Sequence, residues 1–146
     1  MNAAGTALIN KQTQALNSWF ARHAWRRDNA WRVADTYELL KSVYDVTRAQ
    51  VGGVQIMQAL RTGAPLQQER LKSHREVTDE FCEMLEQQFS RQMDDYARAT
   101  ARLNIETGYA LVWMTLEDET LDHQLMLKAG SGMIQAYWAK FLEAYR

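Results

Sequence analysis

The sequence predicts an all-α protein, an antiparallel bundle of four to five helices built on a long helical hairpin. Three observations favour this class. The 146-residue chain holds one proline, whereas average usage predicts about seven, and proline breaks helices. Apolar residues recur at alternating spacings of three and four, the period of a helix packed in a bundle. No stretch shows the alternation of apolar and polar residues that is typical of strands.

The composition indicates one globular domain spanning residues 1–146. Hydrophobic residues make up 47% and charged residues 24%, with a formal charge of -1, which excludes a disordered chain. A single cysteine, Cys82, excludes an intrachain disulfide and a zinc site made of cysteines. The first residues lack the pattern of a signal peptide, and the apolar runs are too short to span a bilayer. We therefore expect a cytoplasmic protein without a transmembrane segment.

The first half of the chain is interpreted as two helices. The first runs from about Thr6, a plausible N-cap, to Trp25. The second runs from the cap at Asp28 to Leu60, with Thr47 filling one core position of an otherwise apolar face. Gly52 and Gly53 lie inside this helix and indicate either the close approach of another helix or a local kink. Thr62-Gly63-Ala64-Pro65 forms the clearest turn, since glycine suits a helix end and proline suits the first turn of a helix. This turn marks the tip of the predicted hairpin.

The second half is interpreted as a long third helix followed by shorter ones. The third helix runs from Pro65 to about Leu103, and a capping-box sequence at 73–76 suggests a break within it. After a turn at 104–108, a fourth helix reaches Lys128 and ends at the glycines of 129–132. Residues 133–145 form a fifth helix or a kinked continuation. The predicted core face of the third helix is Val77, Phe81, Leu85, Phe89, Met93, Tyr96 and Leu103.

The charge of the chain is polarised along its length. Residues 1–74 hold 10 Lys and Arg against 5 Asp and Glu, a net of +5, whereas residues 75–146 have a net of -6. Antiparallel helices commonly place opposite charges on facing flanks, so the two halves are expected to neutralise each other. The alternative is a basic face that meets an anion.

A segment rich in tryptophan and arginine is the strongest candidate for a partner surface, because these residue types dominate binding hot spots. Alternatively, its tryptophans anchor the first helix in the core while its arginines pair with the acidic half, or it contacts an anionic polymer or lipid. A sequence pI near 6.3 makes nucleic acid an unlikely partner. The candidate partner-binding residues are Trp19, Arg22, Trp25, Arg26, Arg27, Trp31 and Arg32.

A weaker candidate site lies in the acidic stretch after residue 116. Glu119, Asp122 and His123 are spaced so that a helix would present them on neighbouring turns, and carboxylates with an imidazole suit a divalent metal. A solvated acidic face explains the same residues. Cys82 lies on an apolar stripe and is interpreted as a small core hydrophobe. No catalytic constellation is recognised, and no cofactor is expected.

The leading functional hypothesis is therefore a non-enzymatic interaction protein, such as an adaptor, chaperone or assembly subunit. We expect a homo-oligomer, because predicted helices of this length leave surface for a second copy. Stretches such as 67–69 and 89–102 give a composition that resembles phasins, the helical proteins that coat polyester granules. The alternatives are therefore an amphipathic coat of that kind or a helical bundle that binds a small molecule or metal.

Overall fold

Six helices are present among the described residues, which confirms the all-α class with more helices than the sequence predicted. The computed structural model describes residues 3–23 and 33–145, the side chains of residues 33, 34, 144 and 145 excepted, and contains no strand in these ranges. The helices are α1 (Ala3–His23), α2 (Val33–Ala49), α3 (Gly53–Thr62), α4 (Ala64–Phe89), α5 (Asp95–Glu117) and α6 (His123–Tyr145). No helix among the described residues is both long and apolar enough to cross a bilayer.

Hydrogen bonds between α1 and α2 show that these helices run antiparallel. The Gln12 side chain, in the middle of α1, donates to Thr47 near the end of α2. Trp19 lies closer to the end of α1, and its indole N–H donates to the carbonyl of Asp35 near the start of α2. The order of these two contacts along the helices is reversed, as antiparallel packing requires.

The pairing of α4 with α5 is also antiparallel. His74 contacts Glu106, and Glu86, further along α4, contacts Arg98, which precedes Glu106 on α5. The α6 helix packs against α2 and α5, while α3 packs mainly on α4. The short connection at Gly63, the only non-helical residue between α3 and α4, confirms the predicted hairpin tip.

The predicted second helix is interrupted at two adjacent glycines. Gly52 has a φ of 67°, a left-handed conformation that side chains with a Cβ rarely adopt. A Cβ on the neighbouring Gly53 would overlap the carbonyl oxygen of Thr47. The prediction of one uninterrupted helix from Asp28 to Leu60 is therefore wrong, because α2 ends at Ala49 and α3 begins at Gly53.

The predicted third helix is interrupted as well. It ends at Phe89, where Ser90 takes a φ of 49°, and Asp94 caps α5 by accepting a hydrogen bond from the Ala97 N–H at 2.8 Å. The non-helical residues between them reset the helical phase. Tyr96 and Leu103, predicted on the core face, are therefore 69% and 60% exposed.

Three other predicted breaks lie inside helices. The capping-box sequence at 73–76 is in the middle of α4, and the predicted turn at 104–108 is in the middle of α5. The glycines of 129–132 do not end a helix either, because α6 runs continuously through them. Gly130 instead permits close packing, since a Cβ there would overlap the Leu111 side chain of α5.

The main hydrophobic core is shared by α1, α2, α4, α5 and α6, and a smaller cluster lies under α3. Thr47 is fully buried, as predicted, and its hydroxyl donates to the carbonyl of Val43. Cys82 is fully buried in the main core. Burial raises the pKa of its thiol above the usual value, which keeps it protonated and unreactive.

We expect Gly130→Ala to lower the free energy of unfolding by about 1–3 kcal/mol, the usual cost of overpacking a core, since the new methyl group collides with Leu111. Gly132→Ala is the matched control, because nothing lies within 4 Å of that Cβ position. Gly132→Ala should raise the free energy of unfolding by up to about 1 kcal/mol, because alanine has a higher helix propensity than glycine. Urea unfolding of both variants tests this, and equal changes would contradict the packing assignment.

Candidate functional site

A polar cavity of about 280 Å³ lies between α1, α3, α4 and α5. This volume is near the lower end of the roughly 300–1,000 Å³ range of ligand pockets. One part of its wall is apolar and includes Ile9, Met57 and Leu60. The polar residues that line it are Gln12, Arg61, Arg70, Ser73, His74 and Glu106. We call this cavity, with these residues, the α3–α4 pocket.

His74 is held rigidly at one side of the α3–α4 pocket. The residue is 5% exposed, and its ring stacks on Tyr109, with 4.1 Å between ring centroids and an interplanar angle of 10°. Nδ1 lies 2.9 Å from Oε1 of Glu106. Because an ionised carboxylate only accepts hydrogen bonds, Nδ1 donates to Glu106. In a neutral ring this leaves Nε2 as an acceptor.

Glu106 receives further hydrogen bonds from Arg102, one turn earlier on α5. Oε1 accepts from Nε at 2.9 Å, and Nη2 of Arg102 is 2.7 Å away. The hydrogen bond from His74, reinforced by Arg102, lowers the pKa of Glu106 to about 2. Burial raises the pKa of Tyr109, and the nearby negative charge of Glu106 adds to the effect. At neutral pH the carboxylate is therefore ionised and the phenol is neutral.

Two arginines contribute positive charge to the pocket. The guanidinium of Arg61 stacks over Trp113 at 5.4 Å from the ring centroid, and Nε of Arg70 donates to the carbonyl of Leu60 at 3.2 Å. Neither forms an ion pair with a carboxylate in the ranges that the structure describes. Since Arg102 and His74 already compensate Glu106, the pocket is electropositive and suited to an anion.

Gln12 lines the pocket from α1 and is 4% exposed. Its amide nitrogen donates to Thr47 Oγ1 at 2.9 Å and contacts the Met57 sulfur at 3.2 Å. A buried amide is stabilised only when its hydrogen bonds are satisfied. These contacts therefore fix the side chain between α2 and α3.

The structure describes two of the seven residues predicted to bind a partner. Trp19 is 2% exposed and belongs to the core, so its prediction as a surface residue is corrected, and its role matches the alternative of an anchor for the first helix. Arg22 is on the surface, where Nη2 lies 2.8 Å from Oε1 of Glu38. The other predicted residues lie outside the described ranges: Trp25, Arg26, Arg27, Trp31 and Arg32.

The predicted metal ligands do not converge. Asp122 caps α6 by accepting from the Leu125 N–H at 2.9 Å, and the ring of His123 stacks on Tyr44. Glu119 is exposed in the α5–α6 loop. Among the described residues, a group of three potential ligand atoms within 4.8 Å of one another occurs elsewhere, at His23, Asp35 and Glu38.

The residues of the α3–α4 pocket were missed because they come from four separate helices. The sequence did contain one signal. His74 lies three residues before Val77, which lies four residues before Phe81, and this spacing places His74 on the apolar face of α4. A histidine on such a face needs a polar partner. The sequence did not indicate that Glu106 provides it.

Comparisons of the chain with protein-family models, with curated proteins and with solved structures found no significant match.

We expect Glu106→Gln to lower the free energy of unfolding at pH 7 by about 1.5–3 kcal/mol, the contribution of a hydrogen bond to a charged group. The pKa of Glu106 is lowered from an ordinary 4.5 to about 2 in the folded protein. Its stabilising effect is therefore complete above pH 4.5 and lost as the pH falls towards 2. Urea unfolding at pH 7, 4.5, 3 and 2 should show the variant and the parent converging.

Glu119→Gln provides the control for this measurement. Glu119 is exposed, so the free energy of unfolding should change by less than about 0.5 kcal/mol at each pH. If Glu106→Gln and the parent had equal free energies of unfolding at pH 7, the role assigned to the carboxylate would be contradicted.

Proposed function

We propose that the protein binds a small anionic ligand in the α3–α4 pocket. The observation that carries this proposal is the pair of arginines, Arg61 and Arg70, which line the cavity without carboxylate partners among the described residues. A planar guanidinium binds carboxylate and phosphate groups through two parallel hydrogen bonds. His74 adds a third polar group, one turn after Arg70 on α4, and its orientation is fixed by Glu106.

The shape of the pocket narrows the class of ligand. A volume of about 280 Å³ suits a small metabolite rather than a polymer. The apolar wall at Ile9, Met57 and Leu60 favours a ligand with a hydrocarbon portion beside its anionic group. A short-chain or aromatic carboxylate, or a small phosphate ester, has this chemistry.

Binding of a short carboxylate is tested by calorimetric titration of the full chain with benzoate at constant ionic strength. We expect saturable 1:1 binding. Arg61→Gln and Arg70→Gln should each weaken benzoate binding by roughly tenfold or more, because each substitution removes charge-assisted hydrogen bonds to the anion. Inorganic phosphate serves as a second anion, and benzylamine as a cationic probe of similar size to benzoate that should not bind.

Arg75→Gln is the matched control, because it removes the same charge from the exposed side of α4 beside His74. Its affinity for benzoate should equal that of the parent. The proposal is contradicted if neither anion binds, or if the double variant of Arg61 and Arg70 binds both anions as the parent does.

A second candidate function is protein contact, the leading hypothesis from the sequence, acting through a different surface. A groove of about 230 Å³ between α5 and α6 is lined by uncharged residues. Leu103 and Met133 on its two sides are 60% and 61% exposed. Exposed apolar side chains that cluster in this way are typical of interaction surfaces. A second copy of the chain is the occupant that agrees with the expected homo-oligomer.

For this second candidate, we expect a double variant, Leu103→Gln with Met133→Gln, to shift the protein from dimer to monomer in sedimentation velocity, because it removes apolar area from the contact. Leu125→Gln is the control, since Leu125 is equally exposed at the start of α6 and does not line the groove. A parent protein that sediments as a monomer at high concentration would rule out self-association through this surface.

A further inference from the structure

A buried histidine, the last described residue of α1, lies far from the α3–α4 pocket. His23 is 3% exposed and lies eleven residues after Gln12, about 16 Å along the helix. Its ring stacks on Trp19 at 4.2 Å between centroids. Nδ1 lies 2.8 Å from the carbonyl oxygen of Trp19. A carbonyl oxygen only accepts, so Nδ1 carries a proton and donates it.

The other ring nitrogen faces two carboxylates of α2. Nε2 of His23 lies 3.4 Å from Oδ1 of Asp35, and Glu38 follows Asp35 by three residues, on the same side of the helix. One ligand atom from each of these three residues lies within 4.8 Å of the other two. With Nδ1 protonated, Nε2 of the neutral ring presents a lone pair towards the negative groups.

We propose that His23, Asp35 and Glu38 form a binding site for a divalent transition-metal ion. Metal-bound histidines typically donate their second ring N–H to a backbone carbonyl or carboxylate, as His23 does to Trp19. Ligands at roughly 2.0–2.2 Å from a metal lie roughly 3.0–3.5 Å from one another. The separation of His23 and Asp35 therefore already suits two ligands of one ion. One imidazole and two carboxylates favour Zn²⁺, Mn²⁺, Co²⁺ or Fe²⁺.

A simple ion pair between protonated His23 and Asp35 explains the geometry less well. Charge-assisted N–H···O bonds are typically about 2.7–2.9 Å long, whereas this contact is 3.4 Å. The third ligand is accessible to an ion, because Glu38 is half-exposed and, among the described residues, its carboxylate pairs with the half-exposed Arg22. Exposed ion pairs of this kind contribute little free energy, so a metal ion can displace the guanidinium from the carboxylate.

Arg22 and the metal ion would compete for the Glu38 carboxylate, so replacing Arg22 should increase the affinity for the ion. Full-length protein stripped with a chelator is titrated with Co²⁺, followed by visible absorbance, and with Zn²⁺, followed by calorimetry. We expect one ion per chain. Arg22→Gln should bind both ions more tightly than the parent, because it frees Glu38. Asp35→Asn and Glu38→Gln should each weaken binding at least about tenfold.

Two further variants guard against alternative explanations. Glu38→Gln alters a half-exposed side chain whose ion pair with Arg22 contributes little free energy, so its urea unfolding should nearly match that of the parent, and loss of metal binding would not reflect unfolding. His123→Gln should leave binding unchanged, since His123 is outside this cluster. The proposal is overturned if no ion binds at 1:1 stoichiometry, or if binding survives in both carboxylate variants.

Discussion

The hydrogen bond between His74 and Glu106 is the interaction on which the α3–α4 pocket depends. Burial of an imidazole without a hydrogen-bond partner lowers the free energy of unfolding, because the ring nitrogens lose their hydrogen bonds to water. Glu106 satisfies it at 2.9 Å and is itself held by Arg102. Together with the Glu86–Arg98 pair further along the same two helices, this contact sets the relative position of α4 and α5. The polar side of the cavity is therefore part of the packing and not an addition to it.

The other side of the pocket depends on the interruption at Gly52. The helical pattern of α2 stops before Gly52, which takes a left-handed conformation. After this interruption α3 packs mainly on α4, and Arg61 lines the same cavity as Arg70. A backbone feature of two glycines thus brings cations from α3 and α4 to the histidine that is held between α4 and α5.

Local periodicity and turn chemistry predicted part of the fold, and prediction failed where two patterns conflict. The all-α class, the tip at Gly63 and the buried position of Thr47 depend on spacing and turn residues alone. The break at Ser90 was not predicted because apolar spacing continues across it, and the same continuity favours one helix through Gly52, where the glycine pair indicates only a local kink or a close helix approach. The glycine at 130 was interpreted as a helix end because its packing role depends on Leu111, which is distant in sequence. For the same reason local pattern could not predict the pocket and the His23 cluster, which join residues from different helices.

Two buried histidines, His23 and His74, lie at separate places among the described residues, and their surroundings argue for binding rather than for stability. Replacement of buried ionic groups by apolar residues of similar volume is often neutral or stabilising, so a helical bundle gains little from an internal histidine with its carboxylate partner. His74 and His23 each combine a fixed Nδ1 donor with a second nitrogen that is oriented by the fold. Both lie beside charged side chains that solvent reaches, Arg102 and Glu38 respectively. Each histidine ring is therefore held in place by its Nδ1 hydrogen bond and lies beside a charged side chain that a ligand can displace. This arrangement is suited to ligand binding.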